Sequence, residues 1–168
     1  MTEQLSYPKD KIKIVLLENI HKSAVNKLKE DGFHVEEFAK SLSSEELTEV
    51  IRDAHVLGIR SKTKIAAEHF VAAKRLLTLG CFGIGTNQVD LEAATNSGVP
   101  VFNAPYSSTR SVAELAIGYV FMLARGLGKA NNKMHQGVWE KSASGSHEIR
   151  GKVLGLIGFG HIGAQVGL

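Results

Sequence analysis

Apolar and polar positions alternate in short blocks along most of the chain. Ile12 to Leu17 (IKIVLL) is a β-branched apolar run that reads as a strand buried on both faces. His21 to Asp31 follows with Ala24, Val25 and Leu28 on one helical face, and Gly32 supplies the stop. His34 to Phe38 predicts a second strand. Ser43 and Glu46 have capping-box spacing and open a helix whose inner face carries Leu47, Val50, Ile51 and Ala54. Val56 to Ile59 reads as a third strand, Ile65 to Arg75 as a helix and Leu76 to Leu79 as a fourth strand. Leu91 to Asn96 then predicts a short helix and Val99 to Asn103 a fifth strand. Strands alternating with helices in this way imply an α/β fold with a parallel sheet covered on both sides.

After Pro105 the texture changes. Ser111 and Glu114 repeat the capping-box spacing, and Val112, Leu115, Ala116, Tyr119, Val120 and Leu123 fall on one helical stripe. The pattern predicts one long amphipathic helix to about Arg125 or beyond, too apolar to stand alone in water. A polar loop over roughly 131–150 leads to a closing apolar strand, Lys152 to Ile157. The domain boundary is placed near Pro105, with the long helix as the first element of a second domain.

Composition narrows the function classes. The 168 residues are 43% hydrophobic and 22% charged, with a formal charge of +3, as in an ordinary globular protein. The basic residues are scattered, with small clusters at 60–64 and 74–75. The absence of a long like-charged run argues against nucleic acid and leaves a small anionic ligand open. The single cysteine, Cys81, rules out an internal disulfide and lies in an apolar stretch, where a buried thiol is expected. The N-terminus is polar, without the apolar core of a signal peptide. The longest apolar run, Leu115 to Ala124, is too short to cross a bilayer. A cytoplasmic setting without membrane attachment is expected. The seven histidines show neither an i, i+4 pair nor H-E-x-x-H, so no metal site is predicted. His135 and His147 have no recognisable carboxylate partner in sequence, which argues against either as a general base.

The most chemically loaded stretch is LGLIGFGHIGAQVG, residues 154–167, with Gly158, Gly160 and Gly163 at the spacing G-x-G-x-x-G. The first glycine permits a tight strand-to-helix turn, the second lets a diphosphate approach the backbone, and the third lets helix and strand pack closely. The N–H groups of His161 and Ile162 would point at the phosphates. A ligand-free glycine-rich turn explains the same residues. The acidic residue about twenty positions on, which would anchor a ribose, falls beyond residue 168.

GIRSKT at 58–63, GCFGIGTNQVDLEAA at 80–94, VFNAPYSSTRSVAELAIG at 101–118, GVWEKSASGSHEIRGK at 137–152 and the glycine motif occur in that order. Together they resemble the NAD-dependent D-2-hydroxyacid dehydrogenases, over nearly the whole chain from about Lys11. The resemblance implies a flavodoxin-like substrate domain over 1–105 and the start of a Rossmann NAD-binding domain over 106–168. It further implies hydride transfer between NAD and 3-phosphoglycerate or 3-phosphohydroxypyruvate, the first step of serine biosynthesis. The family's catalytic Arg, Glu and His would lie downstream of residue 168, so no catalytic residue is assigned here. The chain is expected to be the N-terminal part of an enzyme and inactive alone.

By resemblance, Arg60 and Ser61 face the substrate, and the backbone of Gly83, Ile84 and Gly85 holds its carboxylate. A guanidinium suits a carboxylate or phosphate through its paired donors, although a surface ion pair would explain Arg60 as well. Lys141 matches a lysine near the site. Ser108 stands where the family's bacterial type has Asn, which alters one polar substrate contact. Gly158, Gly160, His161, Ile162 and Gly163 would form the NAD cradle. The helix region 106–135 is expected to take part in pairing of identical subunits. A different reading remains open: a non-catalytic module of the same fold that binds an anion or pairs with another subunit.

Overall fold

The computed structural model describes residues 7–168. The chain divides into two compact units, Met1–Pro105 and Tyr106–Leu168.

In the first unit a single 3₁₀ turn, Lys9–Lys11, leads into β1 (Lys13–Leu16), α1 (Lys22–Glu30), β2 (His34–Glu37), α2 (Ser44–Ile51) and β3 (Val56–Ile59). α3 (Ala67–Ala72), β4 (Thr78–Cys81), α4 (Leu91–Asn96) and β5 (Val101–Asn103) complete it. All five strands are parallel, in the order β2-β1-β3-β4-β5. This is the expected flavodoxin-like α/β arrangement. Side chains alternate across the sheet. Val15, Leu57 and Leu79 stand in register on one face and pack with Leu47, Ile51 and Ile65. Ile14 and Leu16 emerge on the other face against Ile20 and Val25. Cys81 is buried in the first of these cores, and burial pushes its thiol above the usual range.

The capping box on α2 forms as its spacing predicts: Ser43 Oγ accepts from Glu46 N–H, and Glu46 returns a carboxylate oxygen to Ser43 N–H. α3 is shorter than the predicted 65–75 helix. Ile65 instead bridges to Val89, accepting from Asp90 N–H and donating to Gln88 O at 2.8 Å each. β4 lies at Thr78–Cys81, displaced from the predicted 76–79. β5 begins at Val101, just after Pro100, whose missing N–H cannot serve the ladder.

The second unit contains α5 (Thr109–Arg125), α6 (Leu127–His135) and α7 (His161–Gly167). Gly126, in the left-handed region at φ 63°, ends α5 and lets α6 start at once, at 72° to it. α6 occupies part of the predicted loop; its short stripe of Leu127, Ala130 and Met134 is set among polar residues and glycine. No single helix among the described residues is long and apolar enough to cross a membrane.

Two expectations about this unit are corrected. The Ser111–Glu114 pair is not a capping box. α5 starts earlier, at Thr109, so Ser111 is already helical and its hydroxyl donates back to Ser108 O. Lys152 to Ile157 is not a strand, because none of the described residues of this unit offers a strand to pair with. A parallel strand is defined by its neighbour's hydrogen bonds. The apolar stripe of α5 is largely uncovered: Leu115 is 55%, Tyr119 53% and Leu123 80% exposed, and Ala113 is the buried residue of this helix.

Candidate functional site in the first unit and glycine turn in the second

The strand order places β1 beside β3, with connections leaving toward opposite edges of the sheet. In an open parallel sheet the carboxyl ends of such a pair form a crevice where ligands bind. The loops 17–21 after β1 and 60–66 after β3 leave this pair, and 38–43 after β2 and 82–90 after β4 leave the strands that flank it.

The loop after β1 is held in an unusual backbone form. Glu18 and Asn19 are consecutive non-glycine residues at φ 61° and 53°. Such positions cost on the order of 1–3 kcal/mol each and persist where the surroundings enforce them. The enforcing contacts are visible. The backbone N–H groups of Glu18 and Asn19 donate to Lys40 O and Phe38 O. The buried Glu18 carboxylate turns toward the loop after β3, accepting from Arg60 N–H at 3.2 Å, Lys62 N–H at 2.9 Å and Thr63 N–H at 2.8 Å. Burial pushes this carboxyl up, but the N–H donors of Lys62, Thr63 and Arg60 prevail and hold it below the usual carboxylate range. The Arg60 guanidinium also donates to Glu18 O at 3.4 Å. Among the described residues the guanidinium forms no ion pair.

Arg60 and Ser61 are exposed at the end of β3. Clefts of about 410 and 560 Å³ open beside Arg60. The smaller is lined by Asn19, Ile20, Lys22 and Phe82; the larger by Glu18, Lys40, Ser41, Ser61 and Lys62. Lys40, Arg60 and Lys62 against one amide-bonded carboxylate give the larger cleft a cationic rim.

Gly83, Ile84 and Gly85 follow the adjacent strand, β4. Gly83 N–H turns back to Cys81 O at 2.8 Å, Gly83 O accepts from Ala104 N–H, and Asn103 Nδ2 donates to Ile84 O at 2.8 Å. The N–H groups of Ile84 and Gly85 have no acceptor among the described residues. Gln88 ties the two loops together: its Nε2 donates to Arg60 O at 2.7 Å and to Gly85 O at 3.3 Å. Beneath them, Gly58 and Gly80 are register partners on β3 and β4. The Phe82 ring lies across both: a Cβ on Gly58 would stand 3.0 Å from the ring edge, and one on Gly80 3.6 Å.

The remaining predicted residues belong to the second unit. Ser108 is the N-cap residue of α5 but makes no side-chain capping bond. Lys141 is exposed in the loop before Ser146, which ties that loop to the end of α5 by donating to Arg125 O. At the glycine turn, Gly158 adopts φ 93° and Gly160 is open where a Cβ would be. A Cβ on Gly163 would collide with the Gly158 carbonyl oxygen. The first-turn N–H groups of His161, Ile162 and Gly163 have no intrahelical acceptor by geometry. The His161 ring stacks edge-on to Tyr106 at 4.6 Å, so its side chain serves packing while its N–H remains at the helix start. A close-packed third glycine, a left-handed first and an open second are what a diphosphate cradle requires; the residues present fit one.

The pattern of the D-isomer specific 2-hydroxyacid dehydrogenases, catalytic domain, matches residues 14–158. The chain belongs to this family. Among its 2-hydroxyacid dehydrogenase relatives, D-3-phosphoglycerate dehydrogenase of Haemophilus influenzae is 52% identical over 100% of the chain and 41% of its own length. The Escherichia coli K12 enzyme of the same name is 54% identical over 98% of the chain and 40% of its own. The chain thus spans about two fifths of these relatives. The NAD-dependent formate dehydrogenase of Staphylococcus aureus, solved with NAD, superposes with a TM-score of 0.78 at 26% identity, over 92% of this chain and 52% of that one.

Glu18, Gln88 and Phe82 were not singled out from the sequence of this chain. The available signal was positional. Glu18 directly follows a run of buried strand residues, and charged groups at the carboxyl ends of buried strands are site candidates. Gln88 and Phe82 flank the 83–85 loop without any spacing that marks them.

Proposed function

We propose that the chain forms the substrate-binding part of an NAD-dependent D-3-phosphoglycerate dehydrogenase together with the opening of its NAD-binding domain. The observation that carries this reading is the pair of tied loops at the ends of β3 and β4, with Arg60 beside unpaired amides, in a chain 52–54% identical to enzymes of that name. The C2 hydroxy acid presents a carboxylate that suits the N–H groups of Ile84 and Gly85. Arg60 and Ser61 bear on the same ligand from β3. Its phosphate suits the cationic rim of Lys40 and Lys62. Bound NAD supplies the hydride acceptor, and Gly158, Gly160, His161, Ile162 and Gly163 would hold its diphosphate. Ser108 and Lys141 are assigned to substrate contact. Ser108 offers a shorter hydroxyl where an amide would reach further. None of these residues is placed to take the proton that leaves the C2 hydroxyl as hydride departs, so turnover needs an acid–base group beyond those described.

A titration of D-3-phosphoglycerate into the ¹⁵N-labelled chain, followed by NMR, is expected to shift the amides of Ser61, Ile84 and Gly85. NADH with 3-phosphohydroxypyruvate is expected to show no turnover by this chain, and turnover once it is extended to the length of its relatives. Unshifted amides, or turnover by the 168-residue chain, would overturn the reading.

The uncovered stripe of α5 supports a second role for the 106–135 region, pairing with another copy of the chain.

A further inference from the structure

In the 60–63 loop the N–H groups of Arg60, Lys62 and Thr63 all end on the Glu18 carboxylate. That of Ser61, between them, has no acceptor among the described residues. The neighbouring loop leaves Ile84 and Gly85 in the same condition. The pattern is selective: one buried carboxylate takes three donors of its loop and passes over the fourth. A single side chain, Gln88, then joins that loop to the next through Arg60 O and Gly85 O. The backbone of Glu18 itself is kept left-handed, at φ 61°, so its carboxylate is delivered inward at a strained position rather than out to solvent.

We propose that Glu18 and Gln88 are positioning residues of the anion site. Glu18 decides which amides of the 60–63 loop stay unpaired, and Gln88 clamps that loop to 83–85 so that the free donors keep one arrangement. The proposal rests on the assignment of these two loops to the substrate. Neither side chain needs to touch the ligand. Each acts by holding donors in place before the ligand arrives, which removes the ordering cost from binding.

The test uses the 168-residue chain with Glu18→Gln and Gln88→Met. The first replaces one carboxylate oxygen by an NH₂ that cannot accept. The second keeps length and removes both donors. Backbone ¹⁵N order parameters are measured at Ser61, Ile84 and Gly85, with thermal midpoints and D-3-phosphoglycerate titrations on the same samples. In the wild type these amides are expected to be rigid. In Gln88→Met the order parameters at Ser61 and Gly85 should fall below about 0.6, with the thermal midpoint preserved. Affinity should drop about tenfold, as for a site competent a tenth of the time. Glu18→Gln should loosen the 60–63 loop and weaken binding similarly. Order parameters unchanged in both variants would overturn the proposal. So would loosened loops with unaltered affinity, since the contacts would then be structural alone. If the wild type itself shows no shifts with D-3-phosphoglycerate, the substrate assignment fails, and the order parameters still decide whether Glu18 and Gln88 set the loops.

Discussion

At the scale of single residues, Glu18 carries a measurable signature in acid. Its carboxyl titrates below the usual range in the folded chain, because three amides favour the charged form over the cost of burial. A group of this kind contributes stability that is fully present above its unfolded pKa, about 4.3. That contribution is lost as pH falls through the folded value. Urea midpoints of the wild type and Glu18→Gln, compared from pH 6 to pH 3, should therefore differ most at the upper end and converge toward the lower. Other carboxylates with lowered values, such as Glu37 and Asp31, titrate in both proteins and cancel in the difference. At pH 6 the variant is expected to be less stable by about 1–3 kcal/mol, the cost of leaving buried donors short of an acceptor. A gap that is constant with pH would mean that Glu18 is not titrating where its amides place it.

At the scale of elements, the glycine turn makes a comparison between two neighbours. Gly163→Ala drives a Cβ into the carbonyl oxygen of Gly158, so the start of α7 has to move off the turn. Gly160→Ala meets open space. Helical Cα chemical shifts across His161–Gly167 should be lost in the first variant and kept in the second; equal behaviour would refute the close packing. The same local view explains what could be read in advance. β1 and β3 were legible because buried parallel strands are nearly unbroken apolar runs, whereas the more exposed edge strands β2 and β5 followed from the alternation of elements. The two capping-box spacings had different fates for a reason no spacing contains. Ser43 is extended, at ψ 166°, when its helix begins, whereas the turn at 105–108 has already started α5 before Ser111 is reached. Strand status for 152–157 depended on a partner, which is not a local property. At the candidate site, the G-x-G-x-x-G glycines stood out by their spacing, while Arg60 and the 83–85 loop were suggested by the resemblance alone. Glu18 and Gln88 were not legible, because their work lies in hydrogen bonds to loops 42 and 28 residues away in sequence.

At the scale of the whole molecule, the two units differ in how far they cover their own apolar surface. The first closes a core on both faces of its sheet. The second leaves Leu115, Tyr119, Phe121 and Leu123 half or more exposed, along with Val153, Ile157 and Phe159. Each large apolar side chain left wet forgoes about 1.5–3 kcal/mol, and patches of this kind mark association surfaces. Sedimentation velocity is expected to show concentration-dependent self-association, weakened by Leu115→Glu with Tyr119→Lys. A monomer at all concentrations would contradict pairing through α5. The ring of Phe82 on its two bare strand positions has a consequence for how such a sheet tolerates drift. Room exists on one side only: a methyl on β4 at residue 80 meets the aromatic edge at an ordinary 3.6 Å, while one on β3 at residue 58 runs into Leu16 at 2.5 Å as well as the ring. Mutational traffic at this level of the sheet is thus one-way, admitting alanine at position 80 and barring it at 58 unless Leu16 gives ground.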